Sequence, residues 1–172
     1  VPGIQFVQAR AEALPLPDSC VDLVTVAQAW HWFDGPAVEK EFMRVLRPGG
    51  AVVIWGYGLT RIRPDIDACV RHYHDHVLGP YWAPARDTLL AGYPNFPSFL
   101  REAPAPQFGL SCTWSREQFL NYLDSWSAGT AYRADNGRSP LPAIASKLAS
   151  LWPSEQLLTV RWPLTVKVAR CD

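Results

Sequence analysis

Apolar residues run almost unbroken from Val21 to Ala27, with Asp22 at the head of the run. A stretch of that length and character predicts a parallel strand covered on both faces. The apolar period then changes. Val38, Phe42, Val45 and Leu46 recur at helical spacing and make one face. Asp34 stands at the expected N-cap of that helix, and Pro36 lies in its first turn, where a missing N–H costs nothing. Arg44 and Arg47 fall in the last turn, where positive charge suits the dipole, and Pro48-Gly49-Gly50 ends the helix. Ala51 to Trp55 reads as a second buried strand, so the whole stretch predicts a β–α–β crossover of a parallel sheet.

Outside this unit the pattern predicts further elements. Ile4 to Gln8 is a short strand candidate. Ile66, Val70, Tyr73 and Val77 share one face of a helix over Asp65 to Val77. Tyr93 to Pro106, with four prolines, reads as a loop. Phe108, Leu110, Cys112 and Trp114 alternate with small or polar residues, giving a strand with one buried face. Ser115 and Gln118 have the spacing of a capping box, and Phe119, Tyr122, Leu123 and Trp126 mark the helix face that follows. Arg133 to Pro140 reads as a polar loop. Pro142 opens a helix with Ile144, Leu148, Leu151 and Trp152 inward, ended by Pro153. Leu158 to Val168 alternates as one long strand, bent at Pro163.

Composition narrows the class. The chain has 172 residues, 48% hydrophobic and 19% charged, enough for one core. Sixteen Lys+Arg balance sixteen Asp+Glu, so charge gives no argument for nucleic acid or an anionic membrane. The apolar runs fall far short of the ~20 residues of a membrane span. Cys20, Cys69, Cys112 and Cys171 have no CxxC spacing and read as reduced, buried thiols of a cytoplasmic protein. Eight Trp, several in loops, suggest a concave apolar pocket.

The series AEALPLPDSCVDLV, AQAWHWFD, EFMRVLRPGG and VVIWGY, in this order, resembles the second half of a class I S-adenosylmethionine-dependent methyltransferase. LGPYW (Leu78 to Trp82) and FLNYLDSWSA (Phe119 to Ala128) are similar to the trans-aconitate methyltransferase branch, and the likeness extends from about Ile4 to Arg170. It implies an α/β, Rossmann-like sheet with strand order 3-2-1-4-5-7-6. The family's opening GxGxG loop and the acidic end of its second strand have no match here. The expectation is therefore a partial domain with strands 3 to 7 present and strands 1 and 2 absent. Its parts would be a core over 1–58, a helical insertion over 59–105 after strand 5, and C-terminal strands and helices over 106–172. Ile4 to Gln8 would then lack its partner, leaving the edge of Val21 to Ala27 bare and open to pairing with another chain or a second copy.

The resemblance also places a site. Ala11 and Glu12 would lie beside the adenine of S-adenosylmethionine, and Gln28, Trp30 and His31 would line the methyl-transfer site. Trp55, Tyr57, Tyr81, Trp82 and Arg86 would form the substrate pocket, with Arg86 suited to a carboxylate. Trp32 and Phe33 are expected mainly to pack. No catalytic residue is assigned, and His31 is the first candidate should a base be needed. Gly56 and Gly58 would allow positive φ and a sharp exit from the second strand. His72-Tyr73-His74-Asp75-His76 resembles a shortened metallo-hydrolase signature. On a helix, however, His72 and His76 share a face while His74 points away, so no metal is expected. The functional expectation is methyl transfer to a small molecule, such as a carboxylic acid, by a longer enzyme of which this chain alone is inactive. The alternatives are a non-catalytic methyltransferase-like module completed by a partner chain, and a metal-dependent hydrolase.

Overall fold

The first half of the chain is built on β1 (Val21–Ala27), α1 (Gly35–Val45) and β2 (Leu46–Tyr57), with β1 and β2 paired in parallel. This is the β–α–β crossover that the apolar pattern predicts. The computed structural model describes residues 3–94 and 101–171. They divide into two units, one within Val1–Gly56, Asp87–Gln107 and Thr165–Asp172, the other Tyr57–Arg86 and Phe108–Leu164.

In the first unit the strands run in the order β1-β2-β5-β3, where β3 is Arg101–Ala103 and β5 is Leu158–Arg170. β3 pairs antiparallel with the end of β5, Arg101 facing Arg170 and Ala103 facing Val168. Val38, Phe42 and Val45 of α1 are buried, and Val26, Val52, Ile54, Leu89, Tyr93 and Ala169 complete the core with Phe42 and Val38. The family order expected for strands 4, 5 and 7 is the order of β1, β2 and β5.

Several details differ from expectation. Ile4 to Gln8 forms no strand, and Ile4, Phe6 and Val7 are 53%, 91% and 64% exposed. A strand requires a ladder, and β1 has β2 alone as its partner among the described residues. β1 is not covered on both faces either. Val26 is buried, while Leu23 is 53% exposed. The helix stops at Val45, before Pro48. Its last carbonyls are taken by the incoming chain, Ser19 N–H donating to Arg44 O and Cys20 N–H to Val45 O, both at 2.8 Å. Pro48-Gly49-Gly50 therefore lies in β2, where Gly49 has φ +78° and a Cβ on Gly50 would stand 2.8 Å from Arg47 O. Arg47, outside the helix, bonds both oxygens of Asp22 at 2.7 Å. Asp34 occupies the N-cap position without a capping hydrogen bond from its side chain. Within the expected loop Tyr93 to Pro106 the structure has β3, and α3 (Arg86–Leu90) precedes it. Residues 95–100 of that loop lie outside the described residues.

In the second unit, β4 (Gly109–Trp114) pairs antiparallel with the first half of β5, from Trp114 on Leu158 to Gly109 on Pro163. Pro163 thus sits mid-strand where β5 changes partners. Leu110 of β4 is 41% exposed, so the strand's covered face is limited to Cys112 and Trp114, both partly covered. α4 (Arg116–Asp124) opens with the expected capping box between Ser115 and Gln118. α5 (Ser127–Asn136) extends into the expected polar loop and ends at left-handed Gly137. α6 (Pro142–Leu151) buries Ile144 and Leu148, and Trp152 follows it into the core. α2 (Pro64–His72) is shorter than the expected Asp65 to Val77. Residues Tyr73–Val77 form a π turn, closed by Leu78 N–H donating to Tyr73 O at 3.0 Å. Ile66, Val70, Tyr73, Leu78, Phe119, Leu123 and Trp152 form the centre of this unit's core.

One charged cluster fixes the turn before β1. Glu41 on α1 is 9% exposed and accepts from Leu14 N–H at 2.6 Å and from Arg44 Nε and Nη2 at 2.9 and 2.6 Å. Arg44 also donates to Leu14 O, Leu16 O and Asp18. The Arg44 guanidinium, with the Leu14 N–H, holds the Glu41 carboxyl down to about 2 from 4.5. A carboxyl lowered on folding stabilises the fold fully above its unfolded value, and the benefit is lost as pH falls toward the folded value. Thermal unfolding should therefore show Tm falling between about pH 4.5 and pH 2. Glu41→Gln should lower Tm at pH 7 and flatten that fall, and an unchanged slope would count against the assignment.

Candidate functional site

The carboxyl ends of β1 and β2 lie side by side, with Ala27 paired to Trp55. Parallel α/β sheets receive ligands at this end. Immediately after β1, Gln28 takes φ +54°, a left-handed conformation uncommon for a residue with a side chain. Its N–H donates to Trp55 O at 2.8 Å, which holds the turn. Gly56 follows Trp55 and is packed so closely that a Cβ would stand 2.4 Å from Leu89 Cδ1, 2.7 Å from the Tyr93 hydroxyl and 3.0 Å from Gln28 Oε1. Neither Gly56 nor Gly58 has positive φ, so Gly56 is required for close approach and not for the sharp exit that its sequence suggests.

Around this glycine the first unit gathers Gln28, His31 and Tyr93. The His31 Nδ1 and Tyr93 hydroxyl are 3.5 Å apart, with rings nearly parallel at 6.4 Å. Trp30 is 5% exposed and packs into the core against Phe33 and Phe42. Trp32, expected to pack, is 59% exposed. Ala11 packs on the same core, and Glu12 lies on the turn that Glu41 and Arg44 pin to α1. The Glu12 carboxyl is held below its ordinary value, first by its own backbone N–H, then by Arg10 and the Asp34 backbone. Tyr93 escaped the sequence reading because it falls in a proline-rich loop. The adjoining Leu89-Leu90 pair was the available signal that this segment returns to a core.

The remaining candidates belong to the second unit. Tyr57 meets Trp162 edge-on. The Tyr81 hydroxyl donates to Asp135 at 3.1 Å and accepts from Asn136 at 2.8 Å, with its ring against Tyr132, which ties it to α5. Trp82 stacks on His74 and contacts Trp126, and the Arg86 guanidinium lies 4.0 Å over the Trp82 ring. His74 was set aside in the sequence as the histidine off the His72–His76 face. It is 6% exposed, whereas the His72 and His76 rings meet at 4.8 Å on the exposed side. Among the described residues, no three His, Cys, Asp or Glu side chains gather as a metal site. Nor is any helix among them long and apolar enough to cross a membrane.

Known proteins resemble this chain. A family model described as a methyltransferase domain matches residues 1–54. The chain is 31% identical over 169 residues to a candidate methyltransferase of Dictyostelium discoideum, covering 94% of this chain and 64% of that protein. It is 54% identical over 46 residues to an uncharacterised methyltransferase of Mycobacterium tuberculosis, covering 26% and 19%. The chain thus spans less than two thirds of the length of these relatives. The solved structure of a candidate type II methyltransferase from Anaeromyxobacter dehalogenans matches with TM-score 0.88 at 37% identity, over 99% of this chain and 73% of that one.

The crowding at Gly56 sets a test of the site's geometry. Gly56→Ala forces the Leu89 and Tyr93 side chains aside and should destabilise the protein by about 1–3 kcal/mol in urea unfolding. A change below about 0.5 kcal/mol, within the range of ordinary surface substitutions, would show that the packing around Gln28 and Tyr93 is loose.

Proposed function

This chain belongs to the class I methyltransferases, and on that premise we propose that it takes part in methyl transfer from S-adenosylmethionine to a small molecule, as part of a longer enzyme. The observation that carries the reading is the left-handed Gln28 at the carboxyl end of β1, beside a glycine with no room for a side chain. Ala11 and Glu12 would lie along the adenine, and the Gln28 backbone with His31 would line the transfer site, while Trp30, buried against Phe33 and Phe42, would support it from the core. When bound, S-adenosylmethionine supplies an electrophilic methyl on a sulfonium. The chain's own residues orient the acceptor and exclude water, from which much of the acceleration of such a displacement comes. Trp55, Tyr57, Tyr81, Trp82 and Arg86 are the acceptor-side candidates, and Arg86 suits an acceptor that carries a carboxylate. A carboxylate nucleophile needs no general base. For an acceptor that must lose a proton, His31 is the group to take it.

No GxGxG loop occurs in these 172 residues. In the proposed longer enzyme the donor's ribose would be gripped by residues outside this set, and the 172-residue chain alone would then not bind the donor. Calorimetric titration with S-adenosylhomocysteine should give saturable binding with a form extended by a family-type N-terminal half, and none with the 172-residue chain. Micromolar binding by the short chain would overturn the divided site, and no binding by either form would overturn the cofactor assignment.

A second reading rests on a different observation, the exposure of Leu23 on the β1 edge together with Ile4, Phe6 and Val7. A strand edge of this kind suits a non-catalytic module that pairs with another chain or a second copy. Light scattering should then report association of the 172-residue chain at micromolar concentration, abolished by Leu23→Lys. A monomer at all concentrations would exclude self-pairing.

A further inference from the structure

The second unit contains a buried histidine that the reading above does not use. His74 sits in the π turn Tyr73–Val77, a geometry that often marks functional sites. Its Nδ1 is 2.6 Å from Asp75 Oδ1, and its ring lies on Trp82 at 4.7 Å and edge-on to Trp126 at 5.9 Å. Its Nε2 is buried and has no hydrogen-bond partner among the described residues. Buried polar atoms are nearly always satisfied, so this orphan calls for a donor.

The neighbours decide what kind of donor. The Asp75 carboxylate accepts a hydrogen bond from His74 Nδ1–H, which fixes the tautomer and leaves Nε2 with a lone pair. Burial lowers the His74 pKa from 6.5, opposed in part by Asp75, and the Arg86 charge lowers it further. The ring is therefore neutral at pH 7 and Nε2 is an acceptor. The walls around it are flat: Trp82 and Trp126 meet with centroids 5.5 Å apart, and Tyr122 backs Trp126 at 5.8 Å. Trp82 is only partly buried, and one hydrogen bond from its Nε1 to His74 O at 3.1 Å ties it down.

We propose that His74 Nε2 accepts a hydrogen bond from the hydroxyl of a flat, ring-bearing small molecule held against Trp82 and Trp126, making His74 the residue by which the second unit selects that ligand. As a binding site of the second unit it stands apart from the methyl-transfer reading. Asp75 acts through His74 and is a positioning residue.

The test uses the whole chain labelled with nitrogen-15, and 4-hydroxybenzoate and 4-methoxybenzoate as probes. The two share a ring and a carboxylate and differ in the hydroxyl donor. At pH 7.5 the His74 Nε2 resonance should be that of an unprotonated nitrogen. It should shift saturably with 4-hydroxybenzoate, and 4-methoxybenzoate should bind at least about tenfold more weakly. His74→Phe should remove the preference between the probes, and Asp75→Asn should return a mixture of tautomers. Equal binding of both probes, no binding of either, or a protonated Nε2 would overturn the proposal, and none of these readings requires a variant to fold. Titration with S-adenosylhomocysteine reports separately on the first unit, so failure of the cofactor assignment and failure of the His74 site are distinguishable.

Discussion

The first unit depends on one constraint, the parallel pairing of β1 with β2. Parallel strands cannot be joined by a tight turn, so the chain must leave β1, return through a helix and re-enter alongside. α1 supplies that return, and its buried Val38, Phe42 and Val45 cover one face of the sheet. The same pairing puts the two carboxyl ends together and forces the chain to turn as it leaves β1. Gln28 absorbs that turn in a left-handed conformation, at a cost of order 1–3 kcal/mol. The Gln28 N–H bond to Trp55 O and the packing around Gly56 offset it. Strain, close approach and polar side chains thus coincide at one place, the sheet end that the candidate site occupies.

The chain before β1 is fastened by different means. Among the described residues it contributes no strand, so its backbone groups cannot be satisfied by a ladder. Glu41 and Arg44 take that part, offering a carboxylate to the Leu14 N–H and a guanidinium to the Leu14 and Leu16 carbonyls. The helix end is capped by the same segment through Ser19 and Cys20. This explains why the Ala11–Glu12 turn is placed although the residues before it are exposed, and why α1 ends three residues before its proline.

Elements whose evidence is local were legible in the sequence. The apolar run of β1, the α1 face, the Ser115–Gln118 box and the alternation of β5 each depend on neighbours a few residues apart, and each is present. What depends on distant partners was not legible. Ile4 to Gln8 has the composition of a strand but no ladder to join. β3 has three residues and exists because the end of β5 passes beside it. The role of Gly56 depends on Leu89 and Tyr93, more than thirty residues away. The π turn is a one-residue change in hydrogen-bond offset, to which a pattern of apolar positions is blind.

The aromatic content teaches a related lesson. Eight Trp suggested a pocket, yet Trp126, Trp152 and Trp162 are buried in the second unit's core, and Trp30 in the first unit's. Most of the excess is packing. Aromatic surface is hydrophobic payload first, and it identifies a site only where polar chemistry is embedded in it. In the second unit that exception is His74: an imidazole oriented by a carboxylate, walled by rings, and left with one nitrogen unsatisfied among the described residues. A core assembled for stability alone would place a leucine or phenylalanine there and avoid the desolvation cost. The departure from that rule, more than the number of tryptophans, is what separates a recognition surface from a core.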